Sequence, residues 1–196
     1  MAWIIVGLGN PGDEYKHTRH NTGRQVLEYF AKTREFSDWK ADGKSKASMS
    51  RGTVGKTLVA LLAPDTFMNK SGSAVVKYVK TPKAAERMIV VYDDLDLPLG
   101  TLKLSYDRGS GGHKGLESIM RGVKSKKFAR IRIGVSPAAA SGALKKPSGE
   151  KQVNDFILGA FSSHESEIMR RIYKRAADAI DAIVERGVMV AMNEFN

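Results

Sequence analysis

The stretch Trp3-Ile4-Ile5-Val6-Gly7-Leu8-Gly9-Asn10-Pro11-Gly12 is a short apolar run that ends in a glycine- and proline-rich turn. It reads as a buried first strand, because a continuous apolar run of this length, bounded by turn residues, suits a strand covered on both faces. Its glycines formally match the Gly-x-Gly-x-x-Gly fingerprint of dinucleotide-binding folds. That fingerprint works only where a helix opens inside the motif and presents its N-terminus to a pyrophosphate. Here a polar loop, Asp13 to Asn21, intervenes, and the helical pattern starts only around Thr22. Glu28 and Glu35 both lie in that helical stretch, so no acidic residue closes a second strand. Nicotinamide and flavin binding are therefore not expected.

Strand and helix patterns alternate outward from this point. Residues 22–36 carry Val26, Leu27, Phe30 and Ala31 at helical spacing, and 46–52 and 56–63 read as two strands, with a connection starting at Arg51-Gly52. Val75, Val76 and Val79 mark a short helix stopped near Pro82. Met88 to Tyr92 is an apolar strand running into Asp93-Asp94-Leu95-Asp96, and Thr101 to Tyr106 alternates as another. The glycine-rich stretch 109–115 precedes a helix over about 115–123, and Ile131, Ile133 and Val135 alternate as a strand. Residues 137–151 form a Pro/Ala/Ser/Lys loop longer than most internal connections, hence functional or mobile. Together with 153–161 it is expected to act as a mobile lid over 137–161. A long amphipathic helix over about 163–186 starts at a capping box, Ser162 with Glu165, and stops at Gly187.

No repeat or linker divides the chain. The expected architecture is α/β: a single compact domain over residues 1–196, with a twisted, mixed and mainly parallel β-sheet surrounded by α-helices. Ligands in such sheets sit beyond the carboxyl ends of the strands, here just after residues 8, 63, 92 and 106.

Composition narrows the function. The 196 residues contain no cysteine, which excludes disulfides, zinc–thiolate sites and thiol catalysis. No apolar run approaches the roughly 18–20 residues of a membrane span, and no basic leader with a cleavage site is visible. A soluble, cytoplasmic protein is expected. The net charge is +11, and it is uneven: residues 101–151 hold twelve Lys/Arg against three Asp/Glu, leaving twenty against eighteen elsewhere. Arg121 to Arg132 contains six basic residues and no acidic one. A charge run is most often a solvated face; the alternative is a phosphate-binding surface.

Four segments carry side chains suited to chemistry. The loop Tyr15-Lys-His17-Thr-Arg19-His20-Asn21 holds two of the four histidines. A loop histidine is usually inert, and metal binding is poorly supported without cysteine and with His113 standing alone elsewhere. Acid–base chemistry is the remaining role, since an imidazole titrates near neutral pH. Such a base is usually oriented by a carboxylate, and Asp93, Asp94 and Asp96 offer three just after an apolar strand, where turning the chain is the bland alternative. Phe67-Met68-Asn69-Lys-Ser-Gly72 follows the strand 56–63, where Asn69 or Ser71 could simply cap a helix. Gly109-Ser-Gly-Gly-His113-Lys114-Gly115 can offer backbone N–H groups to oxygens. No Walker sequence is present, since Gly43-Lys44-Ser45 and Gly55-Lys56-Thr57 lack the earlier glycine.

Together these segments resemble the bacterial peptidyl-tRNA hydrolase family. The likeness lies in Val6-Gly-Leu-Gly-Asn10-Pro-Gly12, Tyr15 with Arg19-His20-Asn21-Thr-Gly23, Phe67-Met-Asn69-Lys-Ser-Gly72, Tyr92-Asp93-Asp-Leu-Asp-Leu-Pro98-Leu-Gly100, Gly111-Gly-His113-Lys-Gly-Leu116, Ile131-Arg132-Ile-Gly134-Val and Asp155-Phe-Ile-Leu-Gly159-Ala-Phe-Ser162. They stand in family order and span nearly the whole chain. The resemblance implies a monomeric enzyme, without metal or other cofactor, that hydrolyses the ester between peptide and tRNA and so recycles tRNA from drop-off products of translation. It implies His20 as general base and Asp93 as its orienting carboxylate. Asn10, Tyr15, Met68, Asn69, His113 and Lys114 would bind substrate. Lys103, Lys127, Arg130 and Arg132 would meet phosphates of the tRNA acceptor stem as the 3′ end enters the site.

Two departures stand out. The family usually has Asn after the His of Gly-Gly-His, where this chain has Lys114, which only donates hydrogen bonds and adds a charge. Lys114 is expected to alter how peptide or water is positioned. Ser105 stands near a position often basic in the family, with Lys103 close enough to substitute. The competing reading is a non-catalytic RNA-binding relative of the same fold. It predicts the same basic face with a broken constellation, whereas Asn10, His20, Asn69 and Asp93 are all present.

Overall fold

In the computed structural model, which describes residues 2–139 and 143–196, strand β1 (Trp3–Gly7) lies inside a seven-stranded sheet. The other strands are β2 (Lys40–Asp42), β3 (Ala47–Val54), β4 (Thr57–Pro64), β5 (Met88–Pro98), β6 (Leu102–Tyr106) and β7 (Ala129–Ser136), in the order β2-β3-β4-β1-β5-β7-β6. The central strands β4, β1, β5 and β7 are parallel, and β2, β3 and β6 join antiparallel at the flanks. The parallel strands are covered on both faces, which is why Ile4-Ile-Val6 and Met88-Ile-Val-Val91 are continuously apolar.

One face carries α1 (Thr22–Thr33), α6 (Ser163–Arg186) and α7 (Val188–Phe195), whose Leu27, Phe30, Ile180 and Ile183 pack on Ile5, Ile89 and Ile131. The other carries α2 (Ser71–Val75) and α4 (Lys114–Val123), whose Val75, Leu116 and Ile119 pack on Val6, Leu62 and Val90. Short α3 (Pro82–Ala85) and α5 (Glu150–Ile157) complete the chain. Among the described residues no helix is long and apolar enough to cross a membrane.

The glycine string after β1 has a packing explanation. A Cβ on Gly7 would lie 2.5 Å from the carbonyl oxygen of Gly23, and one on Gly23 would lie 2.2 Å from that of Val91. Only backbone without side chains lets α1 approach this closely. Arg24 N–H then bonds the carbonyl of Leu8 at 3.1 Å. The result is that the short 3₁₀ turn Arg19–Asn21, just before α1, stands over the carboxyl ends of β1 and β5.

Several elements differ from expectation. β3 continues through Arg51-Gly52 to Val54, and the turn falls at Gly55, whose φ of +54° suits glycine. The expected helix around Val75–Val79 lies earlier, at Ser71–Val75, and Pro82 starts a helix rather than stopping one: it occupies the first turn of α3, behind a Thr81 cap that accepts from Ala84 N–H. β5 runs through all three acids to Pro98, with a register shift after Asp94. In the segment 137–161, residues 150–157 are helical, Ala138 bridges Leu144, and residues 140–142 lie outside the described residues. β2 and α7 carried no usable periodicity. α6 follows its caps: the Ser162 hydroxyl accepts from Glu165 N–H while Glu165 accepts from Ser162 N–H, a reciprocal arrangement worth about 1 kcal/mol. At the outer edge of the sheet, the Asn196 amide pairs with β6: its Oδ1 accepts from Leu104 N–H at 2.7 Å and its Nδ2 donates to Leu104 O at 3.2 Å.

Candidate active site

Three parallel-strand ends and two loops converge on one buried carboxylate. Asp93, 3% exposed, leaves β5 between His20 and His113. His20 Nδ1 lies 3.0 Å from both Asp93 oxygens, and His113 Nε2 lies 3.2 Å from Oδ1. His113 is also the N-cap of α4: its Nδ1 accepts from Leu116 N–H at 3.2 Å. That nitrogen therefore carries no proton, and Nε2–H donates to Asp93. Burial by itself would raise the Asp93 carboxyl; the charge of His20 and the hydrogen bonds from His113 and His20 outweigh it and hold the carboxyl well below the usual carboxylate range. When His20 is neutral, the ionised Asp93 accepts a hydrogen bond from its Nδ1–H, which leaves Nε2 as that ring's unused acceptor. Tyr92, edge-on to His113 with ring centres 4.9 Å apart, is pushed up to about 12 by burial, so its hydroxyl stays protonated at neutral pH.

Asn10, 8% exposed, is held from two sides. Asn21 Oδ1 accepts from its backbone N–H at 2.8 Å and Asn21 Nδ2 donates to its carbonyl at 2.9 Å. Met68 N–H donates to Asn10 Oδ1 at 2.8 Å, which leaves the Asn10 side-chain NH₂ as its remaining donor. Met68 is itself pressed against Gly115, where a Cβ would come within 2.4 Å of its sulfur. These contacts place β1, β4 and α4 in fixed relation around Asn10. Nothing in the sequence around His20 marks Asn21 for this role, because its clamp on Asn10 depends on two turns meeting in space.

A cleft of about 370 Å³ opens over this cluster. Asn10, His20, Met68, Asn69, Asp93, His113 and Lys114 line it, with Phe67, Val153, Ile157 and Leu158 supplying apolar surface. Asn69 is exposed. Tyr15 is half-buried in the 3₁₀ turn Asp13–Tyr15 and is not among the lining residues. Lys114 Nζ reaches Glu150 Oε1 of α5 at 3.2 Å, and Lys146 Nζ reaches Asp96 Oδ1 at 2.5 Å, so two ion pairs span the cleft's flank.

The basic residues separate by environment. Lys103 and Arg132 are cross-strand partners of β6 and β7, so their side chains share a face. Arg132 Nε donates to Asp94 Oδ2 at 2.7 Å beside the cleft, while Lys103 is exposed. Lys127 is exposed too, but it precedes β7 and lies at the opposite end of the strand from Asp93. Arg130 belongs to the interior and not to the phosphate-binding face expected from the resemblance. It is 1% exposed, and its guanidinium donates to the carbonyls of Gly109, Arg108 and Lys126, binding the loop before the glycine stretch to the start of β7.

The ligand atoms of His20, Asp93 and His113 lie within 4.8 Å of one another, a spacing a metal ion could use. The helix cap argues against it. A metal on His113 Nε2 would move the ring proton to Nδ1, where Leu116 N–H already donates. The donors present suit proton transfer instead.

Known proteins share this architecture. Residues 4–196 match the family described as peptidyl-tRNA hydrolase. The chain is 42% identical to the peptidyl-tRNA hydrolase of Herpetosiphon aurantiacus, over 99% of this chain and 90% of that protein. With the Alkaliphilus oremlandii protein of the same name the figure is 39%, over 98% of each. A crystal structure of peptidyl-tRNA hydrolase from Acinetobacter baumannii superposes with a TM-score of 0.86 at 34% identity, over 100% of this chain and 94% of that one.

Proposed function

The chain belongs to the peptidyl-tRNA hydrolase family and hydrolyses the ester joining peptide to tRNA, and from that premise we propose that His20 is its general base, oriented by Asp93. The observation that carries this reading is the pairing of His20 Nδ1 with a buried, ionised Asp93, which frees Nε2 for a water in the cleft. That water loses its proton to Nε2 as its oxygen attacks the ester carbonyl. The imidazolium is stabilised by Asp93 and returns the proton to the departing 3′ ribose oxygen. The free amide hydrogens of Asn10, with Asn69, stabilise the developing oxyanion. Met68 and the backbone around Lys114 bound the peptide side of the cleft.

The tRNA approaches from the face that carries Lys103 and Arg132. These place phosphates of the acceptor stem without reading bases, which suits an enzyme acting on many tRNAs. Lys127, at the far end of β7, meets phosphates further from the ester. The enzyme acts as a monomer in the cytoplasm, where translation releases its substrate. His113 serves by holding Asp93, a role its cap bond to α4 makes rigid.

The test is peptidyl-tRNA hydrolysis by wild type and His20→Ala with EDTA present. Turnover by the wild type and a loss of roughly 100- to 10,000-fold in the variant are expected. Undiminished turnover by His20→Ala would remove His20 as the base.

A further inference from the structure

We propose that Arg19 is a positioning residue that sets His20 against helix α5, so that the base and the apolar wall of the cleft are aligned together. The inference rests on the reading of His20 as the base. Arg19 adjoins His20 in the 3₁₀ turn, yet its side chain is spent on the α5–α6 connection. Its Nη2 donates to both Glu165 oxygens, at 3.1 and 2.9 Å. Its Nη1 donates to Ala160 O at 2.9 Å and lies 3.5 Å from Phe156 O. The guanidinium carbon sits 4.5 Å from the ring centre of Phe156 and 5.2 Å from that of Phe161. The backbone is stapled as well: Arg19 N–H donates to Gly159 O at 3.0 Å, and Thr18 bridges Ala160.

Each contact has a directional role. Phe156 O belongs to the last turn of α5, the negative end of that helix, which favours a cation. Glu165 is the third residue of α6 and closes its capping box, so the Arg19 charge is tied to the start of that helix. α5 contributes Val153, Asn154 and Ile157 to the cleft, with Leu158 directly after it. One guanidinium thus joins the end of the cleft wall, the start of the next helix and the residue beside the base. A three-residue 3₁₀ turn has little internal hydrogen bonding to hold a side chain still. A misplacement of about 1 Å can cost roughly 100-fold in rate. Lysine cannot replace the planar fork that bonds and stacks at once.

Arg34 provides a control with matching chemistry. It ties α1 to α6 through Asp178 and Asp181, at 3.1 and 2.8 Å, away from the cleft. The experiment compares wild type, Arg19→Lys, Arg19→Gln and Arg34→Ala. It measures kcat and KM for peptidyl-tRNA across pH, thermal unfolding, and the proton NMR signal of His20 Nδ1–H. For both Arg19 variants we expect kcat to fall roughly 10- to 100-fold with KM within about 2-fold, and the Nδ1–H signal to shift or broaden. Arg34→Ala should lower the melting temperature and leave kcat and that signal unchanged. Unchanged kcat and signal in both Arg19 variants would overturn the proposal. So would equal loss of kcat in Arg34→Ala at equal loss of stability, and so would failure of both Arg19 variants to fold, which would make Arg19 simply structural. A wild type without turnover would sink the hydrolytic mechanism instead, and the NMR comparison would still decide whether Arg19 holds His20.

Discussion

The His20–Asp93–His113 cluster and the basic segment 101–151 represent opposite ways of using polar residues. In the cluster, His20 and Asp93 are buried, His113 is partly so, and the two bonds His113 makes determine where its proton sits. In the segment, most cations are exposed: Lys103, Lys124, Lys126 and Lys127 reach water, and Lys114 is paired only at the surface. On the proposed function, geometry is specified where bonds would be remade, and charge suffices where a polyanion would only be held. Arg130 crosses this division, being part of the basic run by sequence and part of the interior by structure.

Five substitutions probe the contrast, in decreasing order of effect. Asp93→Asn places an amide where two ring N–H groups donate, so kcat should fall roughly 100- to 10,000-fold with KM nearly unchanged; a loss below about 10-fold would mean that Asp93 does not orient the base. The same variant reports on acid stability. Because the folded Asp93 carboxyl lies below its ordinary value of about 4, its contribution is complete above that value and is lost as pH falls through the lower folded one. The stability gap between wild type and Asp93→Asn should therefore shrink on acidification from about pH 5 towards pH 2, as followed by denaturant unfolding.

Next, Arg130→Met leaves three carbonyls without their donor. It should cost about 2–3 kcal/mol, lowering the melting temperature by roughly 4–12 °C, without altering the salt dependence of KM. Arg132→Ala and Lys127→Ala should instead each reduce the slope of log KM against log salt by about one unit, and Lys127→Ala should leave stability nearly intact. If Arg130→Met changed the salt slope, the boundary between interior and surface would be misplaced. Smallest is Lys114→Asn. The Lys114–Glu150 pair is 60% and 80% exposed, so breaking it should cost less than about 1 kcal/mol. The rate should change within about 5-fold, and a larger change in kcat would make the lysine a direct participant in substrate positioning.

Much of this arrangement is visible in one dimension because local rules produce it. The apolar runs of β1 and β5, the capping box of α6 and the acids ending an apolar strand each depend on neighbours in sequence. What escaped depends on distance. β2 is three residues long, and its place is set by pairing with β3. The burial of Arg130 follows from the carbonyls of a loop about twenty residues earlier. Pro82 is ambiguous in sequence because proline stops a helix and also begins one, and the Thr81 cap distinguishes the two. In the site, residue types pointed to a base and a carboxylate. The shared oxygen between two imidazoles, the Asn21 clamp and the Arg19 staple all join segments that sequence spacing does not relate.

The amide of Asn196, pairing with both backbone groups of Leu104, bears on a different problem. β6 is the outermost strand on its side, and an open edge is a template on which a second chain can add a strand. The Asn196 side chain imitates one residue of such a strand and occupies the place, while exposed Lys103, one residue away, adds a charge that a neighbouring strand would have to bury. A single carboxamide thereby satisfies at Leu104 the two backbone groups that an eighth strand would need on this edge.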